Sequence, residues 1–92
     1  MQTTAIEAKS PKTRALVAFE NIADLPARGV LTLHGMNRNV SVLRRDRQDH
    51  YVLRLEDPRD NQHSRFCDEV GQLLEDLEYF YSSDALPIGK MW

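Results

Sequence analysis

A single cysteine, Cys67, stands among the 92 residues of this chain, and that scarcity excludes two things at once. No intramolecular disulfide can close, and no multi-cysteine metal cage can be assembled. A small secreted domain usually depends on such staples, so a reducing cytoplasm is the expected compartment. Glycine is also sparse, at four residues, and none lies in a loop of the kind that cradles phosphates. No charged-then-apolar leader opens the chain, and no apolar run nears the roughly 20 residues needed to cross a bilayer. No membrane association is expected.

What remains is enough for one core. The 41% apolar content, against 28% charged residues of mixed sign, is too high for a wholly disordered chain. A single domain over residues 1–92 is expected, with stability limited by how little surface so short a chain can bury. The overall charge of −2 hides a strong segregation. Residues 1–27 are balanced. Residues 28–59 carry seven arginines (Arg28, Arg38, Arg44, Arg45, Arg47, Arg54, Arg59) and no lysine, against four acids. Residues 60–84 carry seven acids against Arg65 alone. A molecule polarised in this way can offer a basic face and an acidic face to different partners.

Residues 1–9 show no period and are expected to form a loose arm. Ser10-Pro11 is a helix start, because serine can cap and proline's missing N–H does no harm in the first turn. Ala15, Leu16, Phe19 and Ile22 follow at helical spacing until Asp24-Leu25-Pro26, which predicts a helix over 11–23. Three segments then alternate with the period of a strand: Val30 to His34, Val40 to Arg45, and His50 to Glu56. Gly35 to Asn39 reads as one hairpin tip and Asp46 to Asp49 as a polar turn, so the three strands form an antiparallel meander. Phe66, Val70, Leu73, Leu74, Leu77 and Tyr81 form an apolar stripe, which predicts a helix over 62–81 capped by Asp60 or Asn61. Residues 82–92 are expected to be an irregular tail. The predicted class is α+β in two layers, order α-β-β-β-α, with both helices on one face of a three-stranded sheet. Leu31, Leu33, Tyr51, Leu53 and Leu55 belong to the covered face. Thr32, His34, Ser41, Arg45, His50 and Arg54 belong to the other.

Catalytic constellations are thin. His63 and Cys67 share a helix face at four-residue spacing, but Cys67 borders the apolar stripe, where an isolated cysteine behaves as a small hydrophobe. Two ligands also fall short of a zinc site. No catalytic residue, metal, cofactor or small-molecule substrate is expected. The arginines are the stronger signal, since arginine suits planar, forked recognition of phosphates or carboxylates. Candidate partner-binding residues are Asn37, Arg38 and Asn39 at the hairpin tip, with Arg44, Arg45, Arg47 and Arg54 further along the sheet. Strand alternation sends Arg44 and Arg45 to opposite faces, so the arginines cannot all join one patch. They contact nucleic acid or an acidic protein, or else they pair with Asp46, Asp49, Glu56 and Asp57 on a solvated sheet. Glu75 and Asp76 head the acidic side of the second helix. That side is either the wet face of an amphipathic helix or an imitation phosphate row for a basic groove. Tyr79, Phe80 and Tyr81 cannot all be buried on one helix face.

The order α-β-β-β-α resembles that of the double-stranded-RNA-binding domain. The stretch Asn61-Gln62-His63-Ser64-Arg65, followed by acids, lacks that family's phosphate-gripping lysines, so its function is not carried over. The whole chain, including MQTTAIEAKSPKTRALVAFENIADLP and VLTLHGMNRNVSVLRRDRQDHY, is similar to phage-encoded anti-CRISPR proteins that inhibit the type I-F crRNA-guided surveillance complex. That resemblance implies a non-enzymatic blocker, monomeric when free, acting in the host bacterial cytoplasm. Its partners would be subunits of the surveillance complex and its crRNA, and its effect would be to stop target DNA from pairing. A small nucleic-acid-binding regulator with an arginine-rich sheet face, and an antitoxin-like protein-binding module, are the alternatives.

Overall fold

The computed structural model describes residues 10–56 and 64–87. Helix α1 spans Pro11–Ala23, and its start is the one expected: the Ser10 hydroxyl accepts a hydrogen bond from Thr13 N at 3.2 Å, with proline in the first turn. Four strands follow, β1 (Val30–His34), β2 (Asn39–Arg44), β3 (Tyr51–Glu56) and β4 (Ser64–Cys67). Helix α2 (Val70–Ser83) closes the fold. The sheet is an antiparallel meander in the order β1-β2-β3-β4. The architecture is thus α+β in the order α-β-β-β-β-α, one strand richer than the three-stranded expectation, and the order no longer matches that of the double-stranded-RNA-binding domain.

The extra strand is where periodicity misled. Phe66 and Val70 continue the helical stripe in sequence, yet Ser64 to Cys67 pairs with β3 through Tyr51↔Cys67, Val52↔Phe66, Leu53↔Arg65 and Arg54↔Ser64. A strand here satisfies the backbone groups along the edge of β3, a gain that outweighs local helix preference. Cys67 is buried and Phe66 exposed, the alternation of a strand. Helix α2 therefore starts eight residues later than expected, and it runs on through Ser82 and Ser83, which the sequence pattern places in the tail. The expected arm, the helix caps Asp60 and Asn61, His63, and the last residues of the tail lie outside the described residues.

Register sorts the strands onto two faces. Leu31, Leu33, Val40, Val42, Tyr51, Leu53, Leu55 and Cys67 turn inward, under the helices. Ala15, Ala18 and Ile22 of α1 and Leu73, Leu77 and Phe80 of α2 complete the same core, and the two helices pack on each other. The small alanines let the helix axes approach closely. Leu16, expected in the stripe of α1, is exposed instead. Of the aromatic triplet, Phe80 is buried, Tyr81 half-buried and Tyr79 exposed.

Two devices fix the ends of the sheet. At one, Arg28 N donates to Arg44 O and Arg44 N to Gly29 O, so two residues oppose one in a bulge. Arg28 takes the positive φ of 69° that such a bulge usually gives to glycine. At the other, Asp84 ends α2 in the left-handed conformation, φ 61°, and its carboxylate accepts from Met36 N at 3.0 Å and Asn37 N at 2.8 Å. The β1–β2 hairpin tip is thereby clamped to the end of α2. Gly35 permits that approach, because a Cβ there would collide with Asp84 Oδ1 and the Phe80 ring. Gly35→Ala should lower stability by about 2 kcal/mol through that overlap. Asp84→Asn, which tolerates the same backbone but accepts through one oxygen, should lower it by about 1 kcal/mol in urea unfolding. A wild-type midpoint for both would show that the clamp contributes nothing.

Candidate interaction surface

The sheet has one face without a helix. Across it, Val30, Leu43, Val52 and Phe66 lie side by side in successive strands, an apolar row outside the core. Val30 is 58% and Phe66 63% exposed. The next row is Thr32, Ser41, Arg54 and Ser64, and beyond it lie His34, Asn39 and Glu56. Arg45 follows β2 on the same face and stacks over Phe66, its guanidinium carbon 5.6 Å from the ring centroid. A longer contact of 3.6 Å links Arg45 to Asp68. No described residue range outside the sheet covers these rows. An aromatic ring and two arginines on a pleated surface suit flat contact with bases, peptide planes or carboxylates.

The other expected partner residues are scattered. Asn37 and Arg38 are exposed at the clamped hairpin tip, and Asn39 opens β2 with its Oδ1 3.0 Å from His34 Nδ1. Arg47 is exposed in the β2–β3 turn at the other end. A strand rise of ~3.3 Å per residue separates Arg38 from Arg45 by roughly 20 Å. Glu75 is exposed on α2 with Glu78, in the helical layer, away from the open sheet face. Two residues are placed differently from expectation. Arg44 turns inward opposite Tyr51, and its guanidinium donates to Ala23 O at 3.0 Å, Leu25 O at 2.8 Å and Arg47 O at 3.2 Å. It ties the last residue of α1 and the chain just beyond it to the β2–β3 turn, so its charge serves the fold. Asp76, assigned to the wet side of α2, is 1% exposed.

The reason lies in β4. Arg65 and Cys67 project from it toward α2, and Asp76 Oδ2 accepts from Arg65 Nε at 2.8 Å and from Cys67 Sγ at 3.1 Å. Gln72 Nε2 donates to Asp76 Oδ1 at 3.0 Å, so both carboxylate oxygens are used. Burial, and then the hydrogen bond to Asp76, push the Cys67 thiol far above its ordinary range. A thiol held protonated and enclosed is a poor nucleophile. Among the described residues no cluster of three or more histidine, cysteine or acidic side chains is placed to hold a metal ion. None of the described helices is long and apolar enough to cross a membrane. Sequence reasoning missed Phe66 as a surface residue. The available signal was that Phe66 and Cys67 alternate as readily as they fit a helix.

No protein-family model, no curated protein and no solved structure matches this chain.

Asp76→Ala leaves Arg65 half-enclosed without its partner and should cost about 3 kcal/mol, while Arg65→Met with Asp76→Leu recovers most of that loss. Equal destabilisation of the single and double variants in urea would refute the pairing. At the β2–β3 turn, Asp46 Oδ2 lies 2.9 Å from His50 Nδ1 and Asp46 Oδ1 accepts from Gln48 N at 2.8 Å. The His50 contact first, then Gln48 N, hold the Asp46 carboxyl below its ordinary pKa. A lowered folded pKa makes the contribution present above the unfolded value and lost as pH falls through the folded one. His50→Ala should move the Asp46 carboxyl signal upward in an NMR titration, and an unmoved midpoint would remove His50 as the cause.

Proposed function

We propose that this chain is a non-enzymatic phage inhibitor that binds the type I-F crRNA-guided surveillance ribonucleoprotein and blocks recognition of target DNA. The observation that carries the reading is the open sheet face, where Phe66, stacked by Arg45, and Arg54 share a surface with the Val30, Leu43 and Val52 row. Aromatic and arginine side chains dominate the energetics of protein interfaces, and both stack on exposed bases. On this reading the open face meets subunits of the complex and its crRNA. Glu75 and Glu78, on the helical side, are free to meet basic protein. The inhibitor works in the host bacterial cytoplasm, as a monomer until it binds. The resemblance of the sequence to anti-CRISPR proteins suggests the target, and the open face supplies a means.

One observation favours a second reading, a nucleic-acid-binding regulator. An exposed aromatic beside arginines on a sheet is also a platform for single-stranded bases. The two readings separate on free RNA. A regulator binds it with steep salt dependence, whereas the inhibitor needs the assembled complex.

Tagged full-length chain should co-purify with an assembled type I-F complex, which then no longer binds target DNA. Phe66→Ala and Arg45→Glu should each weaken that association by about 2 kcal/mol, roughly 30-fold in Kd, with the circular dichroism spectrum unchanged. Association that both variants leave intact would overturn the open face as the contact. Absence of any association would overturn the target.

A further inference from the structure

Strand β1 lies at an edge of the sheet, and its pairing decides which backbone groups are spare. Toward β2, Arg44 N donates to Gly29 O at one end of the strand, and Gly35 N donates to Arg38 O at the other. Antiparallel partners alternate between bonded and non-bonded pairs. Leu31 and Leu33 therefore bond to Val42 and Val40, while Val30, Thr32 and His34 point N–H and C=O away from β2. Edge strands are ordinarily blunted by lysine, proline or inward charge. Val30-Leu31-Thr32-Leu33-His34 has none of these, and no described strand pairs with it on that side.

Alongside the edge runs a groove of about 350 Å³ between β1 and α1, lined by Val17, Ala18, Asn21, Arg14 and Tyr81. Thr32, Leu33 and His34 of the edge strand line it too. Among the described residues Arg14 is the only lysine, arginine or acidic residue on its walls, and the guanidinium carbon sits 4.6 Å from the Tyr81 ring centroid. The groove therefore offers an apolar floor, an amide and a cation, next to a row of backbone groups that no described strand pairs.

We propose that the β1 edge is a second docking site, which takes an extended segment of a partner protein as a fifth strand. Backbone pairing with Val30, Thr32 and His34 supplies the affinity, as in other strand additions. An apolar side chain of the segment enters the groove over Val17 and Ala18, and a carboxylate meets Arg14. A second copy of this chain is a poorer occupant. Its β1 has no acid to offer Arg14, and its Leu31 and Leu33 are already turned into its own core. The site uses the backbone of β1 and the flank of α1, so it stands apart from the open-face reading and fails separately from it.

The probe is a random octapeptide library displayed on phage and panned against the full chain. Enriched peptides should alternate apolar residues and carry an aspartate or glutamate. A synthetic peptide of that consensus should shift the amide signals of Val30, Thr32, His34 and Val17. Arg14→Glu and Val17→Asp should each weaken its binding about tenfold or more. Thr32→Pro removes an edge-facing N–H and no bond to β2, and should do the same. If Thr32→Pro does not fold, the two variants on α1 decide the matter. Failure to enrich a consensus, shifts confined to another surface, or binding indifferent to Arg14→Glu and Val17→Asp would each overturn the proposal. A concentration-dependent dimer paired through β1 would overturn it too, by giving the edge to a second copy.

Discussion

The buried carboxylate of Asp76 is the interaction on which the rest of the arrangement depends. It draws Arg65 and Cys67 of β4 and Gln72 of α2 to one point, with both of its oxygens occupied. A charge almost wholly withdrawn from water is tolerable only when paired and hydrogen-bonded, so β4 and α2 have to stay in this relation. Without the node, the four-residue β4 would be a short edge strand held by little besides its ladder with β3. With it, the second helix is anchored over one end of the sheet and the thiol of Cys67 is sealed inside.

Locking β4 has a consequence on the opposite face. Because Arg65 and Cys67 turn inward, Phe66 between them must turn outward. The same alternation that satisfies Asp76 thus extends the apolar row of the open face by an aromatic ring within reach of Arg45. At the far end, the Asp84 clamp holds the β1–β2 hairpin tip on α2 and presents Asn37 and Arg38 from a fixed base. Preorganised side chains lose less freedom on binding than mobile ones, which favours a docking role for a surface built this way.

Much of this was legible in the chain, and the exceptions have physical causes. Ser10-Pro11 and the Asp24 to Pro26 break bound α1 because capping and proline geometry are local. The alternation of Leu31 and Leu33, and of Tyr51, Leu53 and Leu55, assigned their faces correctly because one buried face leaves no freedom of register. The fourth strand was hidden because four residues cannot display a period, and because Phe66 and Val70 also fit a helix. Asp76 was misplaced for the same reason: an aspartate on an amphipathic helix reads as solvated until Arg65 is known to face it. Arg44 read as a recognition residue because nothing in sequence shows that the carbonyls of Ala23 and Leu25 need its guanidinium. Tertiary partners of polar groups are non-local, and that is where periodicity stops informing.

The clamped α+β fold carries the open sheet face proposed as the surface by which this chain engages a ribonucleoprotein. Hydrogen–deuterium exchange of the full chain, free and bound to the assembled type I-F complex, tests it most directly. The account predicts added protection at Leu43, Val52, Arg54 and Phe66, with Glu75 and Glu78 protected only where basic protein also reaches the helical side. Protection confined to α1 and α2, with the amides of β3 and β4 unchanged, would contradict it.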